Sequence, residues 1–157
     1  MNDSDYIQQA IDLARDNVAS GGQPFGAVLV KDGKVIARAA NRMKADNDPT
    51  AHAELVALRL AGAALGTTRL DGAIVYASGQ PCMMCLAAMR HAGVSEIIIG
   101  YSDASGAAYG MSPAAITAEL SQPIEAQTWA RIRHLAPDDA ADPEIYRLYA
   151  AKSAERT

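Results

Sequence analysis

His52-Ala53-Glu54 is followed, after 26 residues, by Pro81-Cys82-Met83-Met84-Cys85. Whatever fold this chain adopts has to bring those two short runs to one place for their side chains to act together. Cys82 and Cys85 are the only cysteines in the sequence. In a reducing compartment so close a pair points to metal or redox chemistry, not to a disulfide staple. One imidazole and two thiolates suit tetrahedral zinc and leave a fourth position for water, the layout of a catalytic site. Bound zinc lowers the pKa of that water from its bulk value to about 7. Cysteines at a helix start gain from the free amides and the positive end of the helix dipole, which favour thiolate. Glu54 lies two residues past His52 and need not be a ligand, because a carboxylate beside an activated water serves as a proton shuttle. Two other uses of a C-x-x-C pair are a redox couple and half of a structural zinc site. The residues before Cys82 do not make a thioredoxin-type loop, and no second C-x-x-C is present. His91 and His134 fit no ligand spacing and read as packing or surface residues.

The remaining composition narrows the setting. A chain of 157 residues, half of them apolar, is expected to form a single domain over residues 1–157 with its own core. The net charge of −4 and pI near 5.3 give no general attraction for phosphate backbones or anionic membranes. The start, Met1-Asn2-Asp3-Ser4-Asp5, is acidic where a secretory leader is cationic. No apolar run reaches membrane-spanning length. The expected location is cytoplasmic, with neither a membrane nor a nucleic acid as partner.

Periodicity predicts a helix over 4–19, capped by Ser4 or Asp3, with Ile7, Ile11, Ala14 and Val18 on its inner face. Strands are expected over 25–30 and 35–40 around the tight Asp32-Gly33 turn. A polar loop over 46–50 leads to a helix over 51–64 capped by Thr50. After a turn at 70–72, a buried strand over 73–77, a helix over 82–91 and a second buried strand over 96–100 follow. Residues 101–112 read as a loop, 113–120 as a short helix, 124–135 as an ambiguous stretch compatible with one more strand, and 143–152 as a terminal helix. Helices alternating with buried strands imply an α/β layered domain with a mixed sheet. Glycines at 21, 22 and 26 look like a phosphate loop only superficially, because Ala27-Val28 stands where Lys-Ser/Thr is required.

With these residues in view, the chain resembles the cytidine deaminase superfamily, and within it the bacterial guanine deaminase and tRNA adenosine deaminase branch. The resemblance runs through Pro24-Phe25-Gly26-Ala27-Val28-Leu29-Val30, Asn41, Asp48-Pro49-Thr50-Ala51-His52-Ala53-Glu54 and Pro81-Cys82-Met83-Met84-Cys85-Leu86-Ala87-Ala88-Met89. It implies a three-layer α/β/α fold with a five-stranded mixed sheet, a homodimer, and one zinc ion per chain held by His52, Cys82 and Cys85. It also implies that Glu54 moves protons while hydroxide replaces an exocyclic amine. By the same likeness Asn41 hydrogen-bonds the base, Phe25 lines its pocket, and the Ala53 amide helps hold a substrate oxygen.

The expected activity is hydrolytic deamination of a free nucleobase or nucleoside, guanine-like by branch, with release of ammonia. Departures from the branch keep other substrates open. Gly110-Met111-Ser112-Pro113 stands where guanine deaminases tend to have Gly-Phe-Asp-Asp, His91 replaces a late aromatic of the cysteine helix, and Gln80 replaces a common Glu. Tyr101, Asp103, Tyr109 and Ser112 are candidate replacement contacts, Asp103 first, while Tyr146 and Tyr149 read as helix-packing residues. Alternatives are deamination of cytosine or a related amino-heterocycle, a tRNA adenosine deaminase, and a zinc-stabilised module without catalysis.

Overall fold

The computed structural model describes residues 1–155 and divides the chain into two units, Met1–Ser121 and Gln122–Thr157. The first contains α1 (Asp3–Ala19), β1 (Gly26–Lys31), β2 (Lys34–Ala40), α2 (Met43–Asp46), α3 (Ala53–Leu65), β3 (Ile74–Gly79), α4 (Met83–Ala92), β4 (Glu96–Tyr101), α5 (Asp103–Ala107) and α6 (Ala114–Leu120). The sheet order is β2-β1-β3-β4, with β1 antiparallel to both neighbours and β3 parallel to β4. Asp32 and Gly33 take φ of 51° and 72° in the hairpin, as an Asp-Gly turn should.

Alternation along the central strands builds three layers. Val28, Val30 and Tyr76 face α1 and pack with Tyr6 and Ala10. Ala27, Leu29 and Val75 face the other way and pack with Ala53, Leu55 and Ala57 of α3 and with Cys85 and Met89 of α4. The Tyr6 and Tyr76 rings meet in a tilted pair with centroids 4.9 Å apart, and the Tyr76 hydroxyl donates to Asp3 Oδ1 at 2.7 Å. α1 crosses the start of β1 so closely that a Cβ on Gly26 would lie 2.2 Å from the Ala10 carbonyl oxygen. That approach explains why the buried stripe of α1 is Tyr6, Ala10 and Ala14, displaced from the predicted Ile7, Ile11, Ala14 and Val18. Small side chains mark where helix and strand backbones meet, and Val18 is left half exposed.

Several expected boundaries move for local reasons. α1 is capped by Asn2 in a reciprocal box with Asp5, not by Ser4 or Asp3, which leaves Asp3 to Tyr76. Thr50 does not cap α3, because its hydroxyl and amide both donate to Asp48, so His52 becomes the cap residue. The loop before it holds the short α2, braced by the Arg42–Asp46 ion pair. Residues 101–112 are not all loop: Tyr101 still belongs to β4, and Ser102 accepts a hydrogen bond from the Ser105 amide to start α5.

In the second unit, α7 (Glu144–Ala154) follows a single 3-10 turn at Ile124–Ala126. The five-stranded expectation is therefore corrected to four strands among the described residues. The stretch 124–135 finds no partner ladder, and a strand without one leaves its amides and carbonyls to water. Pro123 and Pro137 also remove donors at both ends. Tyr146 and Tyr149, expected to pack, are 70% and 75% exposed. Among the described residues no helix is long and apolar enough to cross a membrane.

Candidate active site

The strand directions collect the functional side chains. β2, β3 and β4 run the same way and β1 runs against them, so the segments after β2, after β3 and after β4, and the segment before β1, all open at one end of the sheet. Asn41, Gln80, Asp103 and Phe25 lie in those four segments. α3 and α4 begin at the same end, with His52 and Cys82 as their cap residues and Cys85 one turn into α4.

Cys82 Sγ and Cys85 Sγ are 3.7 Å apart, and each lies 3.6 Å from His52 Nδ1. Tetrahedral zinc with ordinary bond lengths separates two sulfurs by roughly 3.8 Å and a sulfur from a nitrogen by roughly 3.6 Å. The three donors fit zinc without rearrangement, and they are the metal-binding group found among the described residues. Their protonation follows from their contacts. Cys85, fully buried, is pushed up by its hydrogen bond to Cys82 and by burial. Cys82 is held down to about 3 by Cys85 and His52, and His52 is raised chiefly by its hydrogen bond to Cys82. The trio thus carries protons that a metal must displace.

Glu54 stands in the first turn of α3 and is only 6% exposed. Burial raises its carboxyl above the usual range, offset in part by the neighbouring His52. Ala53, fully buried, opens the same turn, where amides have no acceptor within the helix.

Asn41 is 4% exposed. Its amide donates to the Phe25 carbonyl at 2.9 Å, and its Oδ1 accepts from the Met43 amide at 3.1 Å. Its Nδ2 is the one buried side-chain nitrogen or oxygen without a partner among the described residues. Such an orphan costs about 1–3 kcal/mol and calls for an acceptor from outside the chain. Phe25 packs against the α3/α4 core cluster and also lines a cavity of about 510 Å³ together with Gln80, Tyr101, Asp103 and Tyr109. Asp103 Oδ1 accepts from the Ser112 hydroxyl at 2.6 Å, and the Asp103 amide donates to Gln80 Oε1 at 3.3 Å. Gln80, whose role is not evident from sequence, thus links the metal segment to α5. Tyr109 sits at the rim, 80% exposed. The structure gathers His52, Glu54, Cys82 and Cys85, and puts Asp103 and Tyr109 on the cavity that Phe25 borders, a cavity whose lining includes neither those four residues nor Asn41. His91, at the far end of α4, and His134 are both exposed. Sequence inspection passed over Asn17, whose amide reaches the backbone of both pocket segments. Its partners are carbonyls, which leave no mark in a sequence.

An α/β/α sandwich that mounts one histidine and two cysteines on two helix starts is a zinc-binding domain of the deaminase type. The family model described as the cytidine and deoxycytidylate deaminase zinc-binding region matches residues 1–101, and the chain belongs to that family. The guanine deaminase of Bacillus subtilis is 40% identical over 129 residues, covering 82% of this chain and 83% of that protein. The tRNA-specific adenosine deaminase of Agrobacterium fabrum is 45% identical over 103 residues, covering 66% of this chain and 68% of its own length. The X-ray structure of the Bacillus subtilis guanine deaminase superimposes with a TM-score of 0.88 at 35% identity, over 96% of this chain and 95% of that one.

Proposed function

We propose that this protein is a zinc-dependent hydrolytic deaminase of a free nucleobase or nucleoside, with a guanine-like purine as the leading substrate and ammonia as a product. The observation that carries this is the donor triangle with a buried carboxylate two residues away. Zinc held by His52 Nδ1, Cys82 Sγ and Cys85 Sγ supplies Lewis acidity and an acidified water. Glu54 takes the proton of the attacking water and returns protons to the ring nitrogen and to the departing amine. A carboxyl raised by burial binds a proton tightly enough to move it both ways. Asn41 Nδ2 donates to an acceptor on the heterocycle and so recovers the hydrogen bond it lacks. The Ala53 amide holds a substrate oxygen, and the Phe25 ring forms an apolar wall. Asp103 and Tyr109 contact the base edge from the cavity side, Asp103 as an acceptor for N–H donors.

The likeness to guanine deaminase takes in 82% of this chain, against 66% for the tRNA enzyme, which favours a free base. The net charge of −4 points the same way, because an enzyme that grips tRNA must meet many phosphates. We also propose that residues 1–157 act as one functional unit in a cytoplasmic homodimer, without a nucleic-acid or membrane partner. Exposed Leu60, Leu65 and Leu86 on α3 and α4 support a partner surface there. Ammonia release from guanine, cytosine, adenine, their nucleosides and triazine analogues tests the activity. Guanine is expected to lead. Release only from tRNA, falling steeply with salt, would select the tRNA alternative, and release from none with zinc bound would select a non-catalytic module.

A further inference from the structure

We infer that Asn17, a residue of α1 outside the zinc site, is a positioning residue for the base pocket; this rests on the roles proposed for Phe25 and Asn41. Its side-chain amide spends both protons on the two segments that carry those residues. Asn17 Nδ2 donates to the Gln23 carbonyl at 2.7 Å and to the Asn41 carbonyl at 2.9 Å. The Asn41 amide in turn donates to the Phe25 carbonyl at 2.9 Å. One carboxamide therefore closes a triangle among the end of α1, the segment before β1 and the segment after β2. The sequence makes room for it: a Cβ on Gly22 would lie 2.5 Å from Asn17 Nδ2, and the Gly22 amide donates to the Asn17 carbonyl at 2.8 Å. Asn41 Nδ2 is left unpartnered while the Asn41 backbone is held from Asn17 and Phe25 and its Oδ1 from the Met43 amide. A donor held in that way is aimed before the base arrives, and preorganisation lowers the cost of binding. None of these contacts reaches His52, Cys82 or Cys85, so Asn17 governs how the base sits and not whether the metal is held.

Asn17→Asp is nearly isosteric but turns two donated hydrogen bonds into carboxylate–carbonyl repulsion. We expect KM for the preferred base to rise about tenfold, kcat to stay within about threefold and zinc to remain stoichiometric. Amide hydrogen exchange should quicken in segments 23–25 and 41–43 and stay unchanged in α3. Gly22→Ala, which crowds the same carboxamide, should reproduce the pattern, and combining it with Asn17→Ala should add little beyond either change alone. An unchanged KM, equal protection of both segments, or a fall in kcat that follows zinc loss would overturn the assignment. If the unaltered protein deaminates no base, the activity fails by itself, and exchange at 23–25 and 41–43 still decides the role of Asn17.

Discussion

A carboxyl taken almost wholly out of water holds its proton more tightly than one on the surface, and Glu54 is such a group. Glutamine keeps its shape and its hydrogen-bonding capacity but cannot accept and return a proton. Glu54→Gln is therefore expected to lower kcat by about 10²- to 10⁴-fold while zinc content stays at one per chain. Metal analysis beside an ammonia assay checks both halves, and a near-native rate removes Glu54 from the chemistry. The three candidate zinc donors were legible in the sequence because coordination chemistry dictates which side chains can serve and the C-x-x-C spacing puts two of them on one turn. Asn41 was legible only through family resemblance, and the structure adds the physical reason, a buried donor left without a partner. Neither Gln80 on the cavity nor Asn17 between the Gln23 and Asn41 carbonyls was legible in the sequence. Each works through a long-range backbone group, Gln80 receiving the Asp103 amide across 23 positions. Asp103, suspected from the sequence, is found at the cavity with its carboxylate held by Ser112.

Elements were easier to find than the faces they bury. The hairpin, β3, β4 and the helices that follow them were expected close to where they occur, because Asp-Gly turns, runs of isoleucine and valine, and glycine helix ends each have a local physical cause. β4, expected to be buried, is instead the edge strand of the sheet, with Ile99 41% exposed, because no further strand covers it among the described residues. The inner face of α1 departs from the one that hydrophobic bulk predicts, because the contact with β1 is set by how near two backbones come. Gly26 is the pressure point of that contact. A methyl group there would meet the Ala10 carbonyl at 2.2 Å and the Ala14 amide nitrogen at 2.9 Å, and backbone atoms inside a helix cannot swing aside. Gly26→Ala should push α1 off the sheet and destabilise the fold by about 3 kcal/mol or more. Urea unfolding measures it, and a loss below about 1 kcal/mol would mean that α1 is seated more loosely than its contacts indicate.

At the scale of the whole chain, the first 121 residues followed the expected α/β/α plan, while the fifth strand expected near 124–135 is missing among the described residues. Local pattern suggests a strand there, but pairing makes one, and pairing is not written in a single segment. Zinc held by His52, Cys82 and Cys85 would tie distant parts of the first unit into one equilibrium, since His52 and Cys85 lie 33 positions apart on different helices. Zinc that binds the folded chain and not the unfolded one stabilises it by mass action, by about 2.7 kcal/mol at a hundredfold excess over Kd. Chelation should thus lower the unfolding midpoint by roughly 5–10 °C, and zinc added back should restore it. The pH dependence has a definite sign. Cys85 and His52 are both raised, so each holds a proton that zinc must expel. Apparent zinc affinity therefore rises as the pH rises from about 6 to about 8 and weakens as it falls, with protons released on binding. Calorimetric titration of the zinc-free protein in buffers of different ionisation enthalpy counts those protons. Affinity independent of pH, or a midpoint unmoved by chelation, would mean that the three donors are not the site that zinc occupies.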